Sequence, residues 1–440
     1  MAEEKKSALA VGESVSKAPK NSATAWIVAI FVLLAGVAVV MCSKKLNPCM
    51  TALIEGLGVD TVYTGSLGSV FGIVSAILIL PLGALQAKFS AKWLAVISLA
   101  LLALGSLLGA VTSDPGMFMA WRVVEGVGYT GIYAIGGALI TRWFDDEHSG
   151  VPMGLFTMNT GIAQIVIFNA APPIMAGAGW QGVWIFTGVV AIVAVVGFIF
   201  LVKDWPRGGE EAAAAAAAKR AAEGENKASI MDAFKVPIFW LMCVMFFCFG
   251  VGMQGTMMFS NMIFTQEAGV DNATASLMSS LMATGQMITP LLGGFVISYI
   301  SKKHKELRGW LCAIFFMMAF VSEFCLLAFT HDVTSAWVTS ALMGFCVTWW
   351  PPILYLIAAD HAPSPALAAL GMTMFLFGQF AAGIVGPFIM GWFNATFGTF
   401  TMAKWLILAI AIVGAIASFA CAKIDFRLCK KQMEEKLAAQ

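Results

Sequence analysis

Two adjacent lysines, Lys44 and Lys45, interrupt an apolar run that begins at Ala25. A charge at the centre of a membrane helix costs about 2.5 to 3.5 kcal/mol on insertion scales, and such a group normally faces a cavity or a partner. An ammonium group held at that depth attracts an anion. The first chemistry that the sequence offers is therefore anion binding on its first apolar helix.

Helical geometry separates the two lysines. Ser43, Lys44 and Asn47 share one helical face, whereas Lys45 lies about 100° round the helix. Pro48 cannot donate a backbone hydrogen bond, so it can bend the helix and free a carbonyl near Lys44. We predict that Lys44 is the principal substrate-binding lysine, with Lys45 and Asn47 beside it.

A second interpretation of the lysine pair stays open. Both side chains can mark the outer end of the span and extend to the membrane surface, as long basic side chains do. The apolar pattern continues past them to Leu53 and Ile54, however, before the acidic segment 55–60 begins. This continuation favours a position inside the membrane.

Another charged pair, Arg122 and Glu125, stands three residues apart, close enough to pair on one helical face. The pair can be a structural ion pair, or Glu125 can be a protonatable carboxylate that couples transport to protons. We assign both residues to coupling or gating. For Glu323, the other acid in an apolar segment, we expect an interfacial or packing role.

Uncharged polar and aromatic side chains recur in the apolar segments that would surround a cavity. Single amides in membrane helices often only join neighbouring helices, at about 0.6 kcal/mol each. As a set they can hydrogen-bond a small polar solute. The further predicted substrate-binding residues are Tyr129, Tyr133, Asn159, Gln164, Gln254, Gln286, Trp349, Trp350 and Gln379.

The composition places these side chains in a membrane protein. Of 440 residues, 60% are hydrophobic and 12% are charged, with a mean hydropathy of +0.85, which is typical of a chain surrounded by lipid. Each span needs about 20 helical residues. The twelve predicted spans are 24–50, 61–86, 92–111, 115–142, 149–176, 181–203, 236–265, 273–299, 309–330, 334–359, 365–391 and 399–422.

The basic residues indicate the orientation. Of the 26 lysines and arginines, all but Lys44, Lys45, Arg122 and Lys404 fall in segments on one side of the twelve-span arrangement. The positive side of a membrane protein is the cytoplasmic one. We predict a multi-pass cell-membrane protein with both termini in the cytoplasm.

A polar segment divides the chain into two similar parts. Residues 204–235 have the composition of a soluble linker, and Gly154 and Gly161 recur at the same spacing as Gly371 and Gly378. The predicted domains are a tail 1–23, a six-helix bundle 24–203, the linker 204–235, a second bundle 236–422 and a tail 423–440.

Two motifs carry a resemblance to a known family. Arg122, Gly126 and Gly128 are similar to the Arg-x-x-x-Gly-x-Gly motif of the major facilitator superfamily, and the segment after span 2 resembles another of its motifs, with Ala87 in place of the usual Asp and Ser90 in place of the usual Gly. The resemblance implies an all-α membrane protein with twelve transmembrane helices in two pseudo-symmetric six-helix bundles, which rock about a midplane site. Lys44 resembles the basic position of the anion:cation symporters.

The intramembrane lysines and the lack of enzyme motifs together indicate the function. The sequence has no metalloprotease, nucleophile-elbow or Walker motif, so we predict a protein that is not an enzyme and needs no cofactor or metal. We predict secondary active transport of a small anionic metabolite, a carboxylate or an inorganic anion, as proton symport or anion exchange, by a monomer in the bilayer. A net charge of +1 gives no support for nucleic-acid binding. The alternatives are efflux of lipophilic or cationic compounds, and a non-transporting sensor.

Overall fold

The computed structural model describes residues 23–85, 89–144, 158–206, 235–349 and 365–438 and some isolated positions. These positions are Pro152, Leu155, Phe156, Ile353, Ile357, Asp360 and His361. Over these residues the chain is helical and contains no strand.

Within the described ranges, six helices of at least twelve residues lie in the first half of the chain and six in the second. The first-half helices are α1 (Ala23–Lys44), α2 (Leu46–Leu57), α3 (Thr61–Leu85), α4 (Ala91–Ala110), α5 (Pro115–Trp143) and α6 (Asn159–Leu201). The second-half helices are α7 (Pro237–Glu267), α8 (Asn272–Lys303), α9 (Arg308–Phe329), α10 (Val333–Cys346), α11 (Pro365–Phe397) and α12 (Lys404–Ala438).

The lysine pair lies at the junction of α1 and α2, which together form one apolar stretch of 35 residues. Lys45 is in a turn, but its backbone stays in the right-handed helical region, and its N–H donates to the Met41 carbonyl at 2.9 Å. Pro48 lacks the N–H that would bond the Lys44 carbonyl. The interruption is therefore short, and the stretch continues to Leu57, where Gly58 ends it in a left-handed conformation.

Helix α6 contains two membrane spans. Its backbone turns at Gly179, where φ is 62° and ψ is −173°, a conformation that glycine adopts without steric cost. The 43-residue helix therefore covers residues 159–176 of one predicted span, 149–176, and residues 181–201 of the next, 181–203.

Twelve membrane spans result from this arrangement. Eight of the described stretches are long and apolar enough to cross a membrane by length and composition alone. The long helices α5 and α8 are not among these eight stretches, α10 is shorter, and α6 supplies two spans. The predicted all-α membrane fold of two six-helix bundles is confirmed by the solved structures that the chain resembles, described below.

Some boundaries differ from the prediction. Helix α12 runs without a break to Ala438, past the predicted end of its span at 422, because the polar segment from Lys423 onward keeps good helix-forming residues. Helix α10 ends at Cys346 and Trp349 follows in a bend, but Ile353 and Ile357, within the predicted span 334–359, are helical again. The central residues 207–234 of the predicted linker lie outside the described residues.

The two halves meet at the end of the bundle that lies opposite the chain termini, which we call the distal end. The Asn47 amide donates to the Met257 carbonyl at 2.8 Å and to Ser260 Oγ at 2.7 Å, and its oxygen accepts the Asn261 N–H at 3.1 Å. The Asn272 amide returns a hydrogen bond to the Pro48 carbonyl at 2.9 Å. Asn47 is therefore the first half's main polar contact with α7.

We expect Asn47→Ala to open the distal end. The change removes three hydrogen bonds between the halves, at a cost of about 0.5 to 1.5 kcal/mol for each bond, while Ser260 keeps its bond to Ser279 Oγ at 2.7 Å. The population with separated halves should rise about tenfold or more. Double electron–electron resonance between spin labels at the exposed positions Glu55 and Ala273 measures it as a longer distance.

The matched control for this experiment is Asn394→Ala. The Asn394 amide donates to Gln266 Oε1 at 2.8 Å within the second half, so its loss should leave the distance between the halves unchanged. An equal shift in both variants would contradict the assignment of Asn47 to the interface.

Candidate substrate cavity

A cavity of about 370 Å³ lies between the two halves. Helix α1 contributes Lys44, α5 contributes Tyr129 and Tyr133, and α7 contributes Gln254. The other described lining residues are Val40, Ser43, Asn47, Gly68, Phe71, Gly72, Ile79, Thr160, Gln164, Met253, Met257, Met258, Gln286, Gln379, Phe380, Gly383 and Pro387. This volume suits a small metabolite.

Lys44 is the one described lining residue that carries a formal charge. No hydrogen bond or ion pair joins its ammonium group to any described residue. A cation without a partner in a cavity at membrane depth is costly unless a ligand or water meets it. The charge of the cavity wall therefore favours an anionic ligand.

Lys45 differs from its predicted position in the cavity wall. Its side chain is fully buried inside the first half, where Nζ lies 2.6 Å from Glu125 Oε1. It also donates to Ser106 Oγ at 2.6 Å and to Thr187 Oγ1 at 3.2 Å. The three donors of this ammonium are thus satisfied by α4, α5 and α6, and Lys45 turns away from the cavity to reach them.

Glu125 lies between two cations. Its Oε2 accepts from Arg122 Nη1 at 2.5 Å, while its Oε1 is bound by Lys45. Arg122 Nη1 also donates to the Cys42 carbonyl at 3.0 Å. These three side chains, the buried charge cluster, tie α1, α5 and their neighbours together and retain one positive charge in excess.

Arg122 reaches the back of the cavity wall. Its guanidinium lies 4.3 Å from the centre of the Phe71 ring, and Phe71 lines the cavity. Arg122 Nε and Nη2 are buried without a hydrogen-bond partner among the described residues. The positive charge of the cluster is therefore separated from the cavity by a single aromatic ring.

Eight of the predicted substrate-binding residues lie together in the cavity wall. They are Lys44, Asn47, Tyr129, Tyr133, Gln164, Gln254, Gln286 and Gln379. The three glutamines Gln254, Gln286 and Gln379 belong to the second half, and the lysine to the first. A ligand that contacts both groups bridges the two halves.

Two other predicted residues lie elsewhere. Asn159 packs against Gly36 of α1, and its oxygen accepts a hydrogen bond from Thr160, so helix contact determines its position. Trp349 stacks at 5.4 Å on Phe315, within the second half. Trp350 lies outside the described residues.

The prediction missed the hydrophobic part of the wall. Met253, Met257 and Met258 of α7 line the cavity beside Gln254. Residues 253, 254, 257 and 258 recur at the spacing of one helical face, and this pattern was the available signal. Their flexible thioethers can adapt to ligands of different shape.

The family model of the Major Facilitator Superfamily matches residues 26–378. The chain belongs to this superfamily. The predicted family resemblance is thereby confirmed, and the protein is a transporter of the superfamily in its fold and sequence.

Curated members of the superfamily include relatives with anionic substrates in their names. The chain is 22% identical to a probable sulfoacetate transporter of Cupriavidus necator, over 83% of this chain and 86% of that one. It is 27% identical to a probable L-galactonate transporter of Escherichia coli, over 34% and 33%. It is 28% identical to a probable nitrate transporter of Staphylococcus haemolyticus, over 37% and 42%.

Solved structures of superfamily transporters share the fold. An inward-facing, unoccupied bacterial homologue of the human lysosomal transporter Spinster superposes with a TM-score of 0.71 at 13% identity, covering 94% of this chain and 98% of that one. A D-xylose–proton symporter superposes with a TM-score of 0.67 at 14% identity, covering 89% and 97%.

Proposed function

We propose that this superfamily member is a secondary active transporter of a small organic or inorganic anion, which Lys44 binds in the central cavity. The carrying observation is the Lys44 ammonium, which has no partner among the described residues and lies in a wall whose other described residues are neutral. The neighbouring lysine is neutralised by Glu125 and so leaves Lys44 as the group that meets the substrate.

Relatives support the anionic class. Sulfoacetate, galactonate and nitrate, which appear in the names of similar proteins, share a delocalised oxyanion that an ammonium can bind through charge-assisted hydrogen bonds. The amides of Gln254, Gln286 and Gln379 then bind the uncharged polar part of the substrate. Alternating access follows when the halves separate at the distal end and close on the other side.

The remaining assignments belong to the same proposal. The protein acts as a monomer in the cell membrane with cytoplasmic termini, and it moves its anion either with a proton or in exchange for another anion. Of the predicted roles of Arg122 and Glu125 in coupling or gating, we propose gating: because Glu125 is bound by two cations, the pair keeps the first half rigid while it rocks.

A second candidate, efflux of lipophilic compounds, is favoured by the methionines Met253, Met257 and Met258 in the wall. Export of cations is opposed by the charge of Lys44 and by the lack of an acid among the described lining residues. The two candidates therefore differ in the charge of the ligand that the cavity accepts.

A thermal-shift panel on the purified protein tests the proposal. We expect sulfoacetate, galactonate or nitrate to raise the melting temperature, because a ligand at one hundred times its Kd stabilises the folded state by about 2.7 kcal/mol. Galactose and choline serve as neutral and cationic controls. Stabilisation by choline or by lipophilic cations, with none by the anions, would contradict anion transport.

A further inference from the structure

Glu323 of α9 is a buried acid that takes no part in the cavity or in the buried charge cluster. Its side chain is fully buried, and neither carboxyl oxygen has a hydrogen-bond partner among the described residues. An ionised carboxylate without a partner in an apolar interior is so costly that such a group neutralises instead. The stable form in this environment is the carboxylic acid.

A glycine on α7 leaves the space that the Glu323 carboxyl group occupies. A Cβ on Gly252 of α7 would overlap Glu323 Oε2, and Ile407 of α12 lies against the same point. Thr256 stands one turn further along α7, and its hydroxyl is also buried without a partner among the described residues. At a site without hydrogen-bond partners among the described residues, a neutral acid costs less than a charged carboxylate would.

The charged and titratable groups on the helices around Glu323 are distant or differently engaged. Cys248 lies one turn before Gly252 on α7, and Lys404 lies one turn before Ile407 on α12 with its ammonium 5.8 Å from the centre of the Trp405 ring. Neither is a hydrogen-bond partner of the Glu323 carboxyl oxygens. Arg308 is 15 residues away on α9, about 22 Å along the helix, and binds Asp425 at 2.7 Å. Glu267, at the far end of α7, accepts the Phe400 N–H at 2.8 Å.

Helix α7 connects Glu323 with the moving parts of the protein. Gly252 faces Glu323, the next residues Met253 and Gln254 line the cavity, and Ser260 and Asn261 hold Asn47 at the distal end. A charge that appears at Glu323 would disfavour the dry contact between α7 and α9. The ionisation state of this one side chain thus bears on both the cavity wall and the distal interface.

We propose that Glu323 is a proton-binding site whose loading and release drive the conformational change of α7. In the loaded state the O–H bond of the acid is intact and the distal end is closed. On release, that bond breaks, the proton passes to water and the carboxylate remains. The proton site itself does not depend on the proposed anion transport. If the substrate is a monoanion, as proposed above, the anion and one proton cross the membrane together without net charge.

Infrared spectroscopy of the reconstituted protein without substrate tests the binding of the proton. We expect the carbonyl stretch of a neutral carboxylic acid at neutral pH, sensitive to deuterium exchange, and its loss in Glu323→Gln. The control Glu267→Gln should keep the band. Persistence of the band in Glu323→Gln, or its absence from the unmodified protein, would overturn the proposal.

The coupling is tested with the spin-label pair at Glu55 and Ala273. Alkaline pH should lengthen the distance in the unmodified protein and in Glu267→Gln, and this pH response should be lost in Glu323→Gln. A response retained in Glu323→Gln would mean that another group causes it, and a lower melting temperature of this variant would mean that the carboxylate is the native form. Either result would refute the inference. Neither measurement uses an anion. A negative result here would therefore not contradict anion transport, and a failure to bind anions would not contradict the proton site.

Discussion

Replacing Lys44 by glutamine is expected to weaken anion binding by about 1.5 to 3 kcal/mol, the worth of a hydrogen bond to a charged group, or roughly ten- to a hundredfold in affinity. Uptake of the anion into proteoliposomes should fall accordingly. Glutamine keeps a hydrogen-bond donor on a side chain that is one bond shorter, but it removes the charge, so the loss reports chiefly the electrostatic part of recognition.

The same change should not destabilise the protein. Lys44 has no partner among the described residues, and a cation without a counter-charge at membrane depth opposes folding. We expect the melting temperature of the ligand-free Lys44→Gln variant to be equal to or higher than that of the unmodified protein. Function and stability then move in opposite directions, as is common at binding sites.

Lys404→Gln is the matched control for this prediction. Lys404 begins α12, away from the cavity, with its ammonium 5.8 Å from the centre of the Trp405 ring. The same chemical change at this position should leave anion affinity unaltered. If Lys44→Gln bound the anion as tightly as Lys404→Gln does, Lys44 would not be the binding group.

Much of the fold could be predicted from local signals. Backbone groups in lipid must form their hydrogen bonds within the segment, so an apolar stretch of sufficient length is predicted to be a helix. Hydropathy therefore locates the spans, and the polar linker separates the two halves. The spacing of Arg122 and Glu125 likewise predicts an ion pair, and the pair is present. These features depend on residues that are near each other in the chain.

The environment of Lys45 could not be predicted in the same way. Its partners Ser106, Glu125 and Thr187 lie 61 to 142 residues away on three different helices, and only their packing brings them to one point. The helical wheel places Lys45 about 100° from Lys44 but does not say what faces it. Asn159 shows the same limit, since the approach of Gly36 decides its orientation.

Among the described residues, two glutamates are fully buried, and their surroundings are opposite. Glu125 is bound by Lys45 and Arg122, whereas Glu323 has no hydrogen-bond partner among the described residues. Glutamine resembles the neutral acid in shape and charge. If the same substitution to glutamine is made at each position, the loss of stability shows which glutamate the fold requires in its ionised form.

We expect Glu125→Gln to be the more damaging change, lowering the free energy of unfolding by about 3 to 5 kcal/mol, the usual effect of breaking a buried ion pair. It leaves the Lys45 and Arg122 cations buried with no counter-charge. The loss should be measurable as a lower melting temperature in detergent, while Glu323→Gln should show none.

A second substitution identifies the cause of this loss. Adding Lys45→Met to Glu125→Gln removes one of the two uncompensated cations while keeping an unbranched side chain of similar length, so part of the stability should return. Replacement of buried ion pairs by apolar side chains is often neutral or stabilising. If the double variant were less stable than Glu125→Gln alone, the hydrogen bonds of Lys45 to Ser106 and Thr187, rather than charge balance, would hold the first half together.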